Sequence, residues 1–173
     1  MENEVEFNQD SVIKINQEVI EQIKEKAALN SSGKFRLCLQ HSTQDKLHEM
    51  LIVHRRGDYF RPDKHLYTTE SHIIMDGAML VVLFEDNGDI KDVFELSKNS
   101  YFNYRVDTNI YHMQIPLTEQ VVYYEVKLGP FDEKSNIFPE WAPAPHDREG
   151  IDEYMGKLME EIKKYRERTV ESS

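Results

Sequence analysis

Val19, Ile20, Ile23 and Ala27 recur at helical spacing, and Asn16 stands where an N-cap belongs. Ile15 and Ile20 occupy the two positions of a hydrophobic staple around that cap. Asn30-Ser31-Ser32-Gly33 closes the helix, and Val12-Ile13-Lys14-Ile15 ahead of it reads as a short strand. Beyond residue 34 the pattern changes. Short apolar runs at 35–40, 49–54, 71–75, 78–84, 90–96, 101–104, 110–115 and 121–127 predict strands, with Asp76-Gly77 and Asp86-Asn87-Gly88 as tight turns between them. Parallel strands need crossover helices, and this stretch has no room for them. The expected class is therefore mainly all-β, a sandwich or barrel with helices only at the ends. After Gly129-Pro130-Phe131 a connector bearing Phe138, Pro139, Trp141, Pro143 and Pro145 is expected to cross the barrel surface. Ile151, Tyr154, Leu158, Ile162 and Tyr165 then mark an amphipathic C-terminal helix on the outer wall.

Composition narrows the function classes. A chain of 173 residues with 39% hydrophobic positions suits one domain with terminal additions. Its 21 basic and 32 acidic residues give a net charge of -11, which disfavours a general nucleic-acid binder. Cys38 is the only cysteine, so intrachain disulfides and thiolate metal sites are excluded, and any metal must be held by His, Asp or Glu. The acidic opening residues lack the basic and apolar regions of a signal peptide. No apolar run approaches the roughly 18 residues of a membrane span. A soluble cytoplasmic protein without membrane or nucleic-acid partners is the expectation.

Of the 7 histidines, His65 and His112 have spacing that can converge: Glu70 follows His65 across a turn-like Leu66-Tyr67-Thr68-Thr69, and His112 lies a few strands later. Two imidazoles and a carboxylate are a common ligand set for a divalent transition metal. Strand alternation places His72 and Ile74 on the face of Glu70, and Gln114 on the face of His112. Tyr123 and Glu125 share a face, but which one is not readable from the pattern. Arg36, His41, Arg55 and Arg61 are candidates for holding an anionic ligand. A phosphate-binding glycine loop and a serine elbow are both absent from the sequence.

The run Gly57-x5-Asp63-x-His65-x4-Glu70-x6-Gly77 resembles the first cupin motif, Gly-x5-His-x-His-x(3,4)-Glu-x6-Gly, at every spacing. Asp107-x-Asn109-x2-His112 resembles the second, which reads Pro-x-Gly-x2-His. The likeness is nearer to the WbuC-type cupin-fold metalloproteins. It rests on Arg36 and His41, Pro62-Asp63-Lys64-His65, Glu70-Ser71, Gly129-Pro130-Phe131 and Trp141-Ala142-Pro143, and covers residues 34–143.

The resemblance implies a double-stranded β-helix at 34–145 including the connector, flanked by an N-terminal strand and helix (1–33) and a C-terminal helix (146–173). It implies a metal site of Asp63, His65, Glu70 and His112, holding Zn, Fe, Mn or Ni. Aspartate replaces the usual first histidine, so three arrangements stay open: four ligands, three ligands without Asp63, or a metal-free pocket. Ligand contacts are expected from Arg36, His41, Arg61 and Gln114, and acid–base candidates are His72 and Glu70. The implied role is isomerase- or epimerase-like action on a small sugar or nucleotide sugar in surface-polysaccharide or unusual-sugar metabolism. A non-catalytic ligand-binding or regulatory cupin and a metal-dependent dioxygenase are the alternatives. A homodimer is expected, with residues 12–15 as a candidate edge for pairing.

Overall fold

The computed structural model describes residues 4–171; the first three residues of the acidic opening, and residues 172–173, lie outside the described region. The elements are β1 (Val5–Phe7), α1 (Gln17–Leu29), β2 (Phe35–Cys38), β3 (Leu47–Arg55), β4 (Lys64–His65), β5 (Glu70–Asp76), β6 (Ala78–Phe84), β7 (Ile90–Ser97), β8 (Asn103–Val106), β9 (Tyr111–Pro116), β10 (Gln120–Leu128), β11 (Asn136–Ile137) and α2 (Arg148–Glu171). A six-stranded sheet runs β1-β2-β3-β10-β5-β8. A three-stranded sheet, β7-β6-β9, faces it, and β4 pairs with β11 in a two-stranded piece. All named pairings are antiparallel except β1 with β2.

Strand alternation divides the apolar side chains among three clusters. Met50, Ile52, Ile74, Val121 and Tyr123 point inward from the large sheet and meet Met79, Val81 and Leu96 from the small one. Their neighbours Leu51, Val53 and Val122 point the other way, onto Ile20, Ile23 and Ala27 of α1. On the far side Leu80, Val82, Phe84 and Met113 are covered by Leu158 and Ile162 of α2. Each helix therefore seals the outer face of one sheet, and the barrel interior is left to a separate core.

The Asn16 side chain accepts a hydrogen bond from the Val19 amide at 3.0 Å, the expected N-cap. The short strand expected at residues 12–15 does not form; the N-terminal strand is Val5–Phe7 instead. Ile13 and Ile15 are used differently, packing against the α1 cluster, while Val12 is 72% exposed. The two-residue apolar alternation there serves the approach to the helix and makes no ladder, so a dimer edge at 12–15 loses its basis.

Two backbone positions carry the motif geometry. Gly77, between β5 and β6, has φ 77, and a Cβ there would lie 2.4 Å from Thr118 Oγ1 and 2.5 Å from the Gln120 carbonyl. Asn109 stands where the second cupin motif has glycine, and it adopts φ 62. Asparagine is the residue that best tolerates this left-handed conformation after glycine, so the substitution preserves the turn into β9. The connector crosses the surface as expected: Trp141 packs on Phe84 and Tyr111, and its indole N–H donates to the Asp86 carbonyl at 3.0 Å. No helix among the described residues is long and apolar enough to cross a membrane.

Candidate metal centre

A single backbone bridge starts the site. Asp63 and His112 exchange both amide–carbonyl hydrogen bonds, at 3.2 and 3.0 Å, so β9 holds the segment leading into β4. His65 follows on β4, Glu70 opens β5, and these side chains converge with His112 in the barrel. His65 Nε2 lies 2.7 Å from Glu70 Oε1 and 3.8 Å from Asp63 Oδ2, and His112 Nε2 lies 3.4 Å from Glu70 Oε2. Glu70, His65 and His112 are buried; Asp63 is partly exposed.

The outer nitrogens decide what the inner ones can do. His65 Nδ1 is 2.9 Å from Asn136 Oδ1, and His112 Nδ1 is 3.0 Å from the Ile110 carbonyl. A carbonyl oxygen only accepts, so each Nδ1 carries a proton and each Nε2 is free to present a lone pair inward. This is the arrangement by which second partners orient metal-ligating imidazoles. Asp63, His65 and His112 offer ligand atoms within 4.8 Å of one another, with a Glu70 oxygen against both imidazoles. The donor set fits a divalent cation.

A second cluster adjoins the first through Glu70. His72 Nε2 lies 3.3 Å from Glu125 Oε2 and 3.8 Å from Glu70 Oε2. Its ring stacks on Tyr104 at 4.8 Å and 16°, and Gln114 donates to the Tyr104 hydroxyl at 3.0 Å. Lys127 closes the group, with Nζ 3.0 Å from Glu70 Oε1 and 3.1 Å from Glu125 Oε1. Alternation on β10 brings Tyr123 and Glu125 inward, and Lys127 with them. Sequence reasoning left that face unassigned and passed over Lys127. The paired register of β10 with β5, His72 opposite Glu125 and Glu70 opposite Lys127, is the signal that assigns it, and it becomes visible only when the strands are paired.

Charge explains the titration behaviour. Burial pushes the Glu70 carboxyl up, but hydrogen bonds from His112 and His65 and the Lys127 ammonium outweigh it and hold the group well below the carboxylate range. Burial likewise opposes ionisation of Glu125, yet Lys127 and the His72 hydrogen bond bring it down to about 2. For His65 and His112 burial lowers the pKa, and Glu70 and Asp63 more than reverse it, so both are raised. Burial raises the Asp63 carboxyl despite the nearby imidazoles. Three carboxyl groups and one ammonium thus meet around the two imidazoles, and a divalent cation would answer the surplus negative charge that raises them.

The other sequence candidates disperse. Arg36 sits on β2 and, with Lys127, lines a neighbouring cavity. His41 lies in the loop after β2 with Nδ1 donating to the Asn8 carbonyl at 2.9 Å. Arg61 donates to the Pro139 carbonyl at 2.6 Å and lies over the Phe138 ring, which ties down the connector.

Comparison with known proteins agrees with this architecture. CapF, in a crystal structure with the inhibitor 3-isopropenyl-tropolone, superposes with a TM-score of 0.51 at 14% identity over 61% of this chain and 31% of CapF. A Shewanella oneidensis protein gives 0.50 at 8% identity over 63% of this chain and 75% of its own. The barrel is a cupin fold. Staphylococcus aureus CapF, described as a capsular polysaccharide assembling protein, scores 0.49 at 16% identity over 58% of this chain and 30% of that one. The chain spans under a third of CapF. Residues 15–96, from the approach to α1 into β7, match the model of a domain of unknown function, DUF6016. No curated protein matches the chain.

Proposed function

We propose that this cupin barrel is a metal-dependent protein acting on a small, sugar-derived ligand, in the manner of an isomerase or epimerase. The observation that carries the reading is the convergence of the His65 and His112 Nε2 atoms on the carboxylates of Asp63 and Glu70, with each Nδ1 already occupied. A bound Zn, Fe, Mn or Ni ion would supply Lewis-acid polarisation of a carbonyl or hydroxyl oxygen. The chain's own residues supply the proton chemistry. His72, clamped by Glu125 and stacked on Tyr104, is the proton carrier, and Glu70 links it to the imidazole pair. Lys127 keeps both glutamates ionised and so keeps them acceptors. The sugar class rests on the motif resemblance.

Two measurements test it. Elemental analysis after chelation and reloading should find a transition metal in the wild type and none in His112→Ala. Incubation of aldoses, ketoses and nucleotide sugars in deuterated water should show solvent deuterium at a carbon beside a carbonyl, abolished in His72→Gln with metal content retained. Stable metal binding with no exchange on any sugar would favour the ligand-binding reading instead.

A further inference from the structure

Beside the charged cluster lies a cavity of about 330 Å³, walled by β1, β2 and β3 and by the start of the connector. Among the described cavities it is the one that reaches the cluster, through Lys127. Its apolar wall includes Phe7, Met50 and Phe131, and its polar groups include Arg36, His48 and Lys127.

Three observations concern the polar side. The Arg36 guanidinium makes no hydrogen bond or ion pair with any described residue, although it stands in a chain of net charge -11. His48 is 3% exposed, yet its Nε2 has no hydrogen-bond partner. The Lys127 ammonium has three donors, and Glu70 and Glu125 account for two of them. An unpartnered buried donor costs free energy unless something meets it, which applies to His48; Lys127 and the exposed Arg36 guanidinium line the same cavity. Every one can donate to an oxygen anion, and no carboxylate side chain lines the cavity.

We infer that this cavity binds an organic carboxylate, its anion on Arg36 and its body against Phe7, Met50 and Phe131. A planar guanidinium matches a carboxylate with two parallel hydrogen bonds. The volume holds a molecule of hexose or phenylpropionate size. Lys127 then stands between the bound acid and Glu70, so the ligand abuts the metal centre without displacing its donors. The inference deepens the proposed function by naming the ligand as an acid, and it rests on that reading only for the adjoining metal.

The test uses the full chain and a fixed panel: benzoate, 3-phenylpropionate, glucuronate and galacturonate, with 3-phenylpropionamide as an uncharged counterpart. Binding is followed by calorimetry on metal-loaded and chelated protein. At least one acid should bind, the amide should bind about tenfold or more weakly, and Arg36→Gln should lose a similar factor while Arg36→Lys recovers part of it. Arg36 is exposed, so the substitution leaves folding intact, which circular dichroism verifies. Chelation should leave this binding in place. An acid that binds only the metal-loaded protein and ignores Arg36→Gln is a metal ligand, and the cavity inference fails. Equal binding of acid and amide, or no binding across the panel, also overturns it. Arg36-dependent binding in a protein that never takes up metal would uphold the cavity and sink the metal reading alone.

Discussion

His54 should make the protein lose stability as the pH falls. The ring is 7% exposed, 4.0 Å from Phe60, with Nε2 3.0 Å from the Tyr123 hydroxyl. Burial is the main reason its pKa drops from 6.5 to about 3; the charges of Lys34 and Arg36 and the nearby His72 push the same way, and Glu125 opposes them. The folded ring is therefore neutral where the unfolded one is charged. Between these two values the unfolded chain binds a proton that the native state refuses, so stability is present above pH 6.5 and falls toward pH 3. Linkage puts the loss at about 2 kcal/mol from neutrality to about pH 5, and about 3 kcal/mol by about pH 4. Urea unfolding of wild type and His54→Gln across this range isolates the effect, since the amide still reaches Tyr123 but does not titrate. Other ionisable groups cancel in the difference. Wild type should lose about 2 kcal/mol relative to the variant by about pH 5. Parallel stability curves would refute the argument.

Metal affinity should weaken as the pH falls, because protons compete with the ion for the raised His65 and His112 imidazoles; loading titrations across pH read this, and His112→Ala should abolish uptake. Asn109→Gly should be neutral or slightly stabilising, whereas Asn109→Val should cost about 1–2 kcal/mol in thermal or urea unfolding, since a β-branched residue strains φ 62. Lys127→Met strands Glu70 and Glu125 as buried charges and should cost about 3 kcal/mol or more at neutral pH. That cost should shrink in acid, where the freed Glu125 takes up a proton, as unfolding titrations would show.

The barrel was legible because its evidence is local. Residues 78–84 form a strand with the bounds the apolar run suggests, and the Asn16 cap and the α1 stripe follow the same rule. Asp63 and His65 from the first motif gather with His112 from the second, with Glu70 against His65, and Asn109 shows why a motif can lose its glycine and keep its turn. What stayed hidden depends on partners far along the chain. β4 and β11 are two residues each and exist only through each other. The inward turn of Lys127 is fixed by pairing with β5. The alternation at 12–15 misled because packing on a helix and pairing in a sheet can use the same four residues. Arg61 is a basic residue near the motif, and nothing local distinguishes a ligand contact from its hold on Pro139.

The position of β10 has a mechanical consequence. It lies inside the large sheet, hydrogen-bonded to β3 on one side and β5 on the other, and carries Glu125 and Lys127, with Glu70 and His72 on the adjoining strand. These four groups are set on adjoining paired strands, so their backbone positions are held in register. Asp63 hangs instead from a single bridge beside a two-residue strand, and it is the partly exposed member. The centre is thus rigid along one wall and compliant along the other. An ion should enter and leave past Asp63, and the coordination sphere should adapt to ions of different radius on that side alone.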